Sequence, residues 1–229
     1  MTSRLPLFPL GTVLFPGLVL PLHIFEERYR TLVRHLMELP EPAREFGVVA
    51  IRRGWEVQSA SGATGEDSVA GMILHEVGCT ARLQQVTELP DGRFDLRVVG
   101  GRRFRSVGVD RSLAYLTAEV EWLPEPNEPD SVAQLLAPRV LALFRRYLEL
   151  IRSGPATEPL PEDPTVLSYA VAAATALSID DRQSLLVAPD TASRLRAELR
   201  LLSREAVLLR QLRAVPAALA EFAVPPGPN

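Results

Sequence analysis

Leu5-Pro-Leu-Phe-Pro-Leu-Gly-Thr-Val-Leu-Phe-Pro-Gly-Leu-Val-Leu-Pro-Leu-His-Ile-Phe-Glu-Glu-Arg-Tyr29 is the stretch that decides the fold. It is strongly apolar, yet Pro6, Pro9, Pro16 and Pro21 interrupt it at short intervals. A proline fixes φ and carries no N–H, so no continuous helix runs through this segment. Each proline also drives the residue before it toward extended geometry, which makes Leu5, Phe8, Phe15 and Leu20 strand-like or polyproline-like. Such a segment is buried as short extended pieces joined by turns, here at Leu10-Gly11-Thr12 and Pro16-Gly17. The pattern predicts an N-terminal strand and a buried loop that other strands must cover, leading into a helix at Phe25.

Downstream of the opening, Phe25, Tyr29, Leu32 or Val33, and Leu36 recur at helical spacing, and Pro40 and Pro42 end the run. Phe46–Ile51 is a short, β-branched, apolar run and predicts a buried strand. Ser59–Asp67 is small, polar and Gly-containing, hence a surface loop. Met72–Glu88 reads as a strand with a bulge or bend at Gly78. Asp91-Gly92 supplies the positive φ of a hairpin turn. Phe94–Val109 resumes as strand, broken at Gly100-Gly101, and Tyr115–Leu123 alternates apolar and polar residues.

Past the linker Pro124–Asp130 the apolar period changes from two to 3.6. Val132, Leu136, Val140, Leu143, Tyr147 and Ile151 predict one helix face, with Ser131 and Gln134 at capping-box spacing and a kink at Pro138. Asp163 caps a helix that begins with Pro164 and runs to about Leu177. Asp180 with Gln183 opens a short helix that ends before Pro189, and Asp190 caps a last long one bearing Leu195, Leu199, Leu202, Ala206 and Leu209. The expected fold class is α+β: a β-rich unit over residues 1–123, a helical unit over 131–213 and a flexible tail over 214–229.

Composition limits the function. Hydrophobic residues make up 47% of the chain and charged residues 23%, as in ordinary globular proteins. A net charge of −3 gives no electrostatic ground for nucleic acid or an anionic membrane. All 25 basic residues are arginines, which reads as a composition bias. The single Cys79 excludes an internal disulfide framework and fits a reducing compartment. The prolines break any signal-peptide core, and no apolar run reaches the ~18–20 residues a bilayer requires. A cytoplasmic location without membrane attachment is the expectation.

The quoted opening resembles the start of the N-terminal substrate-binding domain of Lon proteases, and in particular bacterial proteins made of that domain alone. The resemblance extends through Glu76-Val-Gly-Cys-Thr-Ala-Arg-Leu, Leu89–Arg105 and Leu186-Val-Ala-Pro-Asp190, so it covers roughly Leu5 to Arg213. It implies a small open pseudo-barrel of about six strands, PUA-like and carrying one helix, followed by a helical bundle. It also implies a function, the capture of unfolded or tagged polypeptides or an adaptor role, with a protease or chaperone as a further partner. The ATPase and Ser-Lys peptidase chemistry of Lon resides in other domains, so the resemblance implies no catalysis here.

The residues themselves bear no recognisable active site. There is no G-x-S-x-G, Walker A or G-x-G-x-x-G pattern, and no cofactor is implied. Cys79 falls inside an expected strand, where a thiol is inert. His23 with Glu26 and Glu27 looks like a metal cluster, but the carboxylates suit the first turn of a helix and the imidazole a backbone partner. His35 and His75 lack ligand spacing. Two binding candidates remain. Arg52, Arg53 and Trp55 precede the Ser59–Asp67 loop and suit a polypeptide, although Trp55 equally fits a strand-end core position. Arg102, Arg103 and Arg105 around Phe104 form an alternative face for RNA or a small ligand, which competes with a solvated strand face and runs against the acidic balance.

Overall fold

A computed structural model describes residues 3–53, 73–125, 130–151 and 160–214. In chain order these form β1 (Ser3–Leu10), β2 (Val19–Ile24), α1 (Glu27–Glu38), a 3-10 turn (Glu41–Ala43), β3 (Glu45–Arg53), β4 (Ile73–Leu74), β5 (Val77–Glu88), β6 (Phe94–Asp110) and β7 (Thr117–Trp122). The helices α2 (Ser131–Ile151), α3 (Pro164–Ala174), α4 (Ile179–Val187) and α5 (Thr191–Ala214) follow. The chain is a mixed α+β protein, as expected.

The strands pair in the order β1-β7-β6-β5-β3, and a parallel pairing of β1 with β3 joins the two ends into a ring. Ser3–Pro6 pair with β7 and Leu7–Leu10 with β3, so each proline of β1 belongs to one ladder rather than two. β2 lies against the first half of β6, and β4 against the end of β3. Leu5, Leu7, Val49, Phe104, Ala118 and Val120 fill the interior of the ring.

The opening stretch folds as its prolines demand. After β1, Val13, Leu14 and Phe15 are buried, and Gly17 turns the chain at φ 78°. The loop is fastened to β6 by Gly17 N donating to Gly100 O and Gly100 N donating to Leu18 O, both at 2.8 Å. A Cβ on Gly100 would run into the Phe15 carbonyl, so glycine is required there by close approach. β6 runs unbroken for 17 residues, but its pairing with β5 shifts at the Gly-Gly step: Ala81 faces Gly100 and Cys79 faces Arg103, so Gly101 and Arg102 together oppose Thr80. Gly78 sits in regular pairing with Phe104, and the extra residue that β5 itself carries lies between Leu83 and Gln85. A Cβ on Gly78 would lie 2.5 Å from both Phe104 Cζ and Val48 O, so this glycine makes room instead of making a bulge. The hairpin stands at Asp91-Gly92, with Gly92 at φ 76°. Helix α1 buries Tyr29, Leu32, Val33 and Leu36 as read from the sequence, but Phe25 precedes it and is exposed.

Two compact units result. The described residues 3–125 together with Ala172–Pro189 make one, and the described residues of Glu128–Val171 and Asp190–Asn229 make the other. The short helix α4 thus belongs with the barrel. Gln183 Nε2 donates to Val77 O at 2.8 Å, and Arg103 binds the carbonyls at the end of α4. The N-cap of α4 is Ser178, whose Oγ accepts from Asp181 N, in place of the expected Asp180.

In the second unit α2 packs on α5. Its buried face is Ala133, Ala137, Val140, Phe144, Tyr147 and Leu148. That face is rotated from the expected one: Val132 and Ile151 are exposed, because two small alanines occupy positions against α5 that bulk alone would not select. Asp130, not Ser131, caps α2, accepting from Ala133 N at 2.7 Å. Asp163 caps α3, which ends at Ala174, and Asp190 caps α5. Arg194 is fully buried, donates to Ser168 Oγ at 2.8 Å and lies 3.8 Å above the Tyr169 ring.

Candidate functional site

The Arg102–Arg105 stretch does not present one basic face. Arg102 is exposed, stacks 3.6 Å over the Trp122 ring and pairs with Glu45 at 3.1 Å. Arg103 is only 3% exposed. It donates to Leu186 O at 2.9 Å, Ala188 O at 2.6 Å and Pro124 O at 3.1 Å, and pairs with Glu125 at 2.8 Å. Phe104 is wholly buried in the ring, where no base can stack on it, and Arg105 is exposed. Arg103 is a structural clamp on chain carbonyls, a use that suits the five donors of a guanidinium.

His23 bonds side chains and not a backbone group. Its Nδ1 lies 2.7 Å from Asp95 Oδ1, and its Nε2 accepts from Arg93 at 3.2 Å. Glu27 begins α1 and pairs with Arg30 and Arg34, while Glu26 pairs with Arg28. Among the described residues no cluster of three or more His, Cys, Asp or Glu could hold a metal ion. None of the described helices is long and apolar enough to cross a membrane. Cys79 is buried, and that burial pushes its thiol up to about 12.

Arg52 is exposed near the end of β3. The side chain of Arg53, Trp55 and the Ser59–Asp67 loop lie outside the described residues. Close to Arg52, however, the barrel opens into a pocket of about 200 Å³. Leu7 of β1 and Val49 of β3 form its floor, Leu74, His75 and Glu76 one wall, and Ser106–Val109 of β6 the other. The pocket exists because β4 and β5 are separate strands. At the break His75 N donates to Ala50 O at 2.9 Å, and Glu76 O accepts from Ser106 N at 2.8 Å. Pairing of β5 with β6 ends at Val77 and Arg105, while β6 runs on to Asp110 with β7 beside it. Val107 (49% exposed) and Val109 (42%), which line this pocket, stand at the surface, and Ile73 of β4 is exposed as well.

His75, Glu76 and Ser106 are the polar residues of this pocket, and His75 is the one with a buried ring nitrogen. Its Nε2 is buried without a hydrogen-bond partner and lies 3.9 Å from Asp180 Oδ1 at the start of α4. Desolvation lowers its pKa, Arg52 lowers it further, and Asp180 opposes both. Sequence reading sets His75 aside for want of ligand spacing and leaves Val107 and Val109 unmarked. Val107-Gly-Val109 reads as ordinary strand, but β5 no longer covers this end and the register against β7 shifts between Ser106 and Gly108.

The fold has known counterparts. The sequence profile of the ATP-dependent protease La (LON) substrate-binding domain matches residues 4–204, and the chain belongs to that family. It is 31% identical over 202 residues to Lon protease 2 of Syntrophobacter fumaroxidans, covering 83% of this chain and 23% of that protein. Lon protease 2 of Myxococcus xanthus is 28% identical over 221 residues, covering 94% of this chain and 25% of that protein. The chain thus spans about a quarter of the length of the curated relatives it matches. Among solved structures, the Lon N-terminal domain protein from Xanthomonas campestris aligns with a TM-score of 0.62 and 28% identity, over 86% of this chain and 98% of that one. The N-terminal domain of a Mycobacterium avium complex Lon protease shares the fold, with a TM-score of 0.63 at 18% identity, over 88% of this chain and 98% of that one.

Proposed function

We propose that the chain is a non-catalytic polypeptide-recognition module, which captures unfolded or tagged segments directly or acts as an adaptor for a protease or chaperone. Membership of a substrate-binding family supports the class. The observation that carries the location is the open end of β6: exposed Val107 and Val109 flank an apolar pocket at the point where β5 no longer pairs with that strand. An extended segment can lie along such an edge and place one apolar side chain in the pocket, the geometry by which strands are added to sheets. Recognition of many clients favours this mode, because backbone pairing does not depend on sequence. Arg52 stands beside the pocket, and Arg53 and Trp55 remain candidates to extend the surface.

The test is binding of a labelled, permanently unfolded model protein to the purified chain. Val107→Asp with Val109→Asp is expected to weaken it more than tenfold, the loss typical of a hot spot of ~2 kcal/mol. The thermal midpoint should hardly move, because both side chains are already exposed. The same preparation is expected to turn over neither ATP nor casein. Unchanged affinity of the double variant would remove the pocket from the recognition surface, and turnover surviving repurification would overturn the non-catalytic reading.

A further inference from the structure

The pocket has a titratable wall. His75 lines it, its Nε2 is shielded from water and has no hydrogen-bond partner, and Asp180 Oδ1 stands 3.9 Å away. Among the described residues, the other charges near the imidazole are Arg52 on β3 and the neighbouring Glu76. β1 and β6 contribute only Leu7, Ser106, Val107, Gly108 and Val109 to the lining, none of which titrates in the ordinary range. A neutral imidazole leaves this part of the wall uncharged and suited to an apolar side chain. An imidazolium places a charge in a desolvated wall, where an apolar guest offers it no partner and Asp180 does.

We propose that protonation of His75 closes this pocket to its polypeptide guest, so that the module binds apolar extended segments at neutral pH and releases them in acid. The proposal rests on the recognition reading above. The surroundings set its sign. Burial holds the imidazole neutral at pH 7, so the binding-competent form predominates there, and acidification supplies the competing proton. If only the neutral form binds, affinity must fall tenfold per pH unit below the His75 pKa, since one proton is taken up for each guest released. Two exposed neighbours should shift the midpoint in opposite directions. Asp180 raises the His75 pKa, so Asp180→Asn moves the loss of binding to lower pH. Arg52 lowers it, so Arg52→Gln moves the loss to higher pH.

The experiment uses the full chain and an acetylated, amidated twelve-residue peptide of Val, Leu, Thr and Asn. This probe has no titratable group, so pH acts on the protein alone. Calorimetric titration downward from pH 8 is expected to show a plateau and then, below the pH at which His75 itself titrates, a fall with a slope of one decade per unit. His75→Asn is expected to bind with the same affinity across that range. Carbon-edited NMR of the Leu74 and Val107 methyl groups reports the same proton without any guest, and their shifts should follow the His75 titration. Equal wild-type affinity on both sides of the His75 titration overturns the gate and leaves the recognition reading standing. Methyl groups that ignore the titration overturn it as well. A peptide that fails to bind even at pH 8 overturns the recognition reading itself, and the gate with it.

Discussion

Phe104 can be tested against two glycines in a way that separates packing from ligand stacking. Its ring lies inside the barrel, in space that side chains at positions 47 and 78 would otherwise claim. A Cβ on Gly47 would lie 2.6 Å from Phe104 Cζ, 2.8 Å from Leu5 Cδ2 and 2.9 Å from Leu7 Cδ2, all of them side-chain atoms. A Cβ on Gly78 would meet Phe104 Cζ and the Val48 carbonyl, both at 2.5 Å, and the latter is backbone. Phe104→Leu removes three carbons and should cost about 2 kcal/mol, at ~0.8 kcal/mol for each buried carbon. Gly47→Ala and Gly78→Ala should each cost ~1–3 kcal/mol by overpacking. In the double variant Gly47→Ala/Phe104→Leu, the methyl group enters the space that the ring has left, so the cost should fall short of the sum by ~1 kcal/mol or more. Gly78→Ala/Phe104→Leu should show far less relief, since Val48 O cannot move without breaking the β3 ladder. Hydrogen exchange of β5 and β6 amides measures these differences in the barrel unit itself. Equal coupling in the two cycles, or none in either, would refute the assignment of Phe104 as the knob of this barrel. If Phe104 instead served as a stacking platform for RNA, its replacement would leave stability untouched and reduce nucleic-acid binding.

Glu198 makes the second prediction. It is buried one turn beyond Arg194, its oxygens have no hydrogen-bond partner, and desolvation raises its pKa well above 4.5, with Arg194 opposing. A carboxyl whose pKa is raised by folding favours the native state fully below the unfolded pKa, and that contribution is lost as pH climbs through the folded value. The stability of the helical unit should therefore fall by up to ~1.4 kcal/mol per pH unit above about 4.5. Glu198→Gln should flatten that fall and be the more stable protein at pH 8, as read from hydrogen exchange of α2 and α5 amides. A variant destabilised equally at all pH values would mean that the carboxylate is ionised and paired with Arg194. Cys79 makes the third: a thiol pushed up to about 12 inside β5 should resist iodoacetamide at pH 8 in the native protein and react fully in urea. Native-state alkylation at the rate of a free thiol would contradict its burial.

Much of the fold was legible in the sequence because the deciding interactions are local. Prolines at 6, 9, 16 and 21 forbid a helix and impose strand, turn and strand within 20 residues. Asp91-Gly92 marks a hairpin through the backbone of Gly92 alone. Asp163 and Asp190 cap helices by bonding N–H groups two or three residues away. The family stretch and the α+β division follow from the same local signals. Other outcomes depended on partners the sequence does not place nearby. Arg103 looks like its neighbours Arg102 and Arg105 until tertiary folding brings it to the carbonyls of Leu186 and Ala188, 83 and 85 residues away. Gly78 looks like a strand break until Phe104 and the Val48 carbonyl are set against it. The seam of α2 fell to alanines because the approach of α5, and not side-chain bulk, chooses which face is covered. The candidate site is the extreme case. Val107, Val109 and His75 come to line one pocket only because β5 begins at Val77 while β6 runs on to Asp110. Periodicity can say that each of these segments is a strand, but only the register of one strand against another decides where pairing stops and a surface is left open.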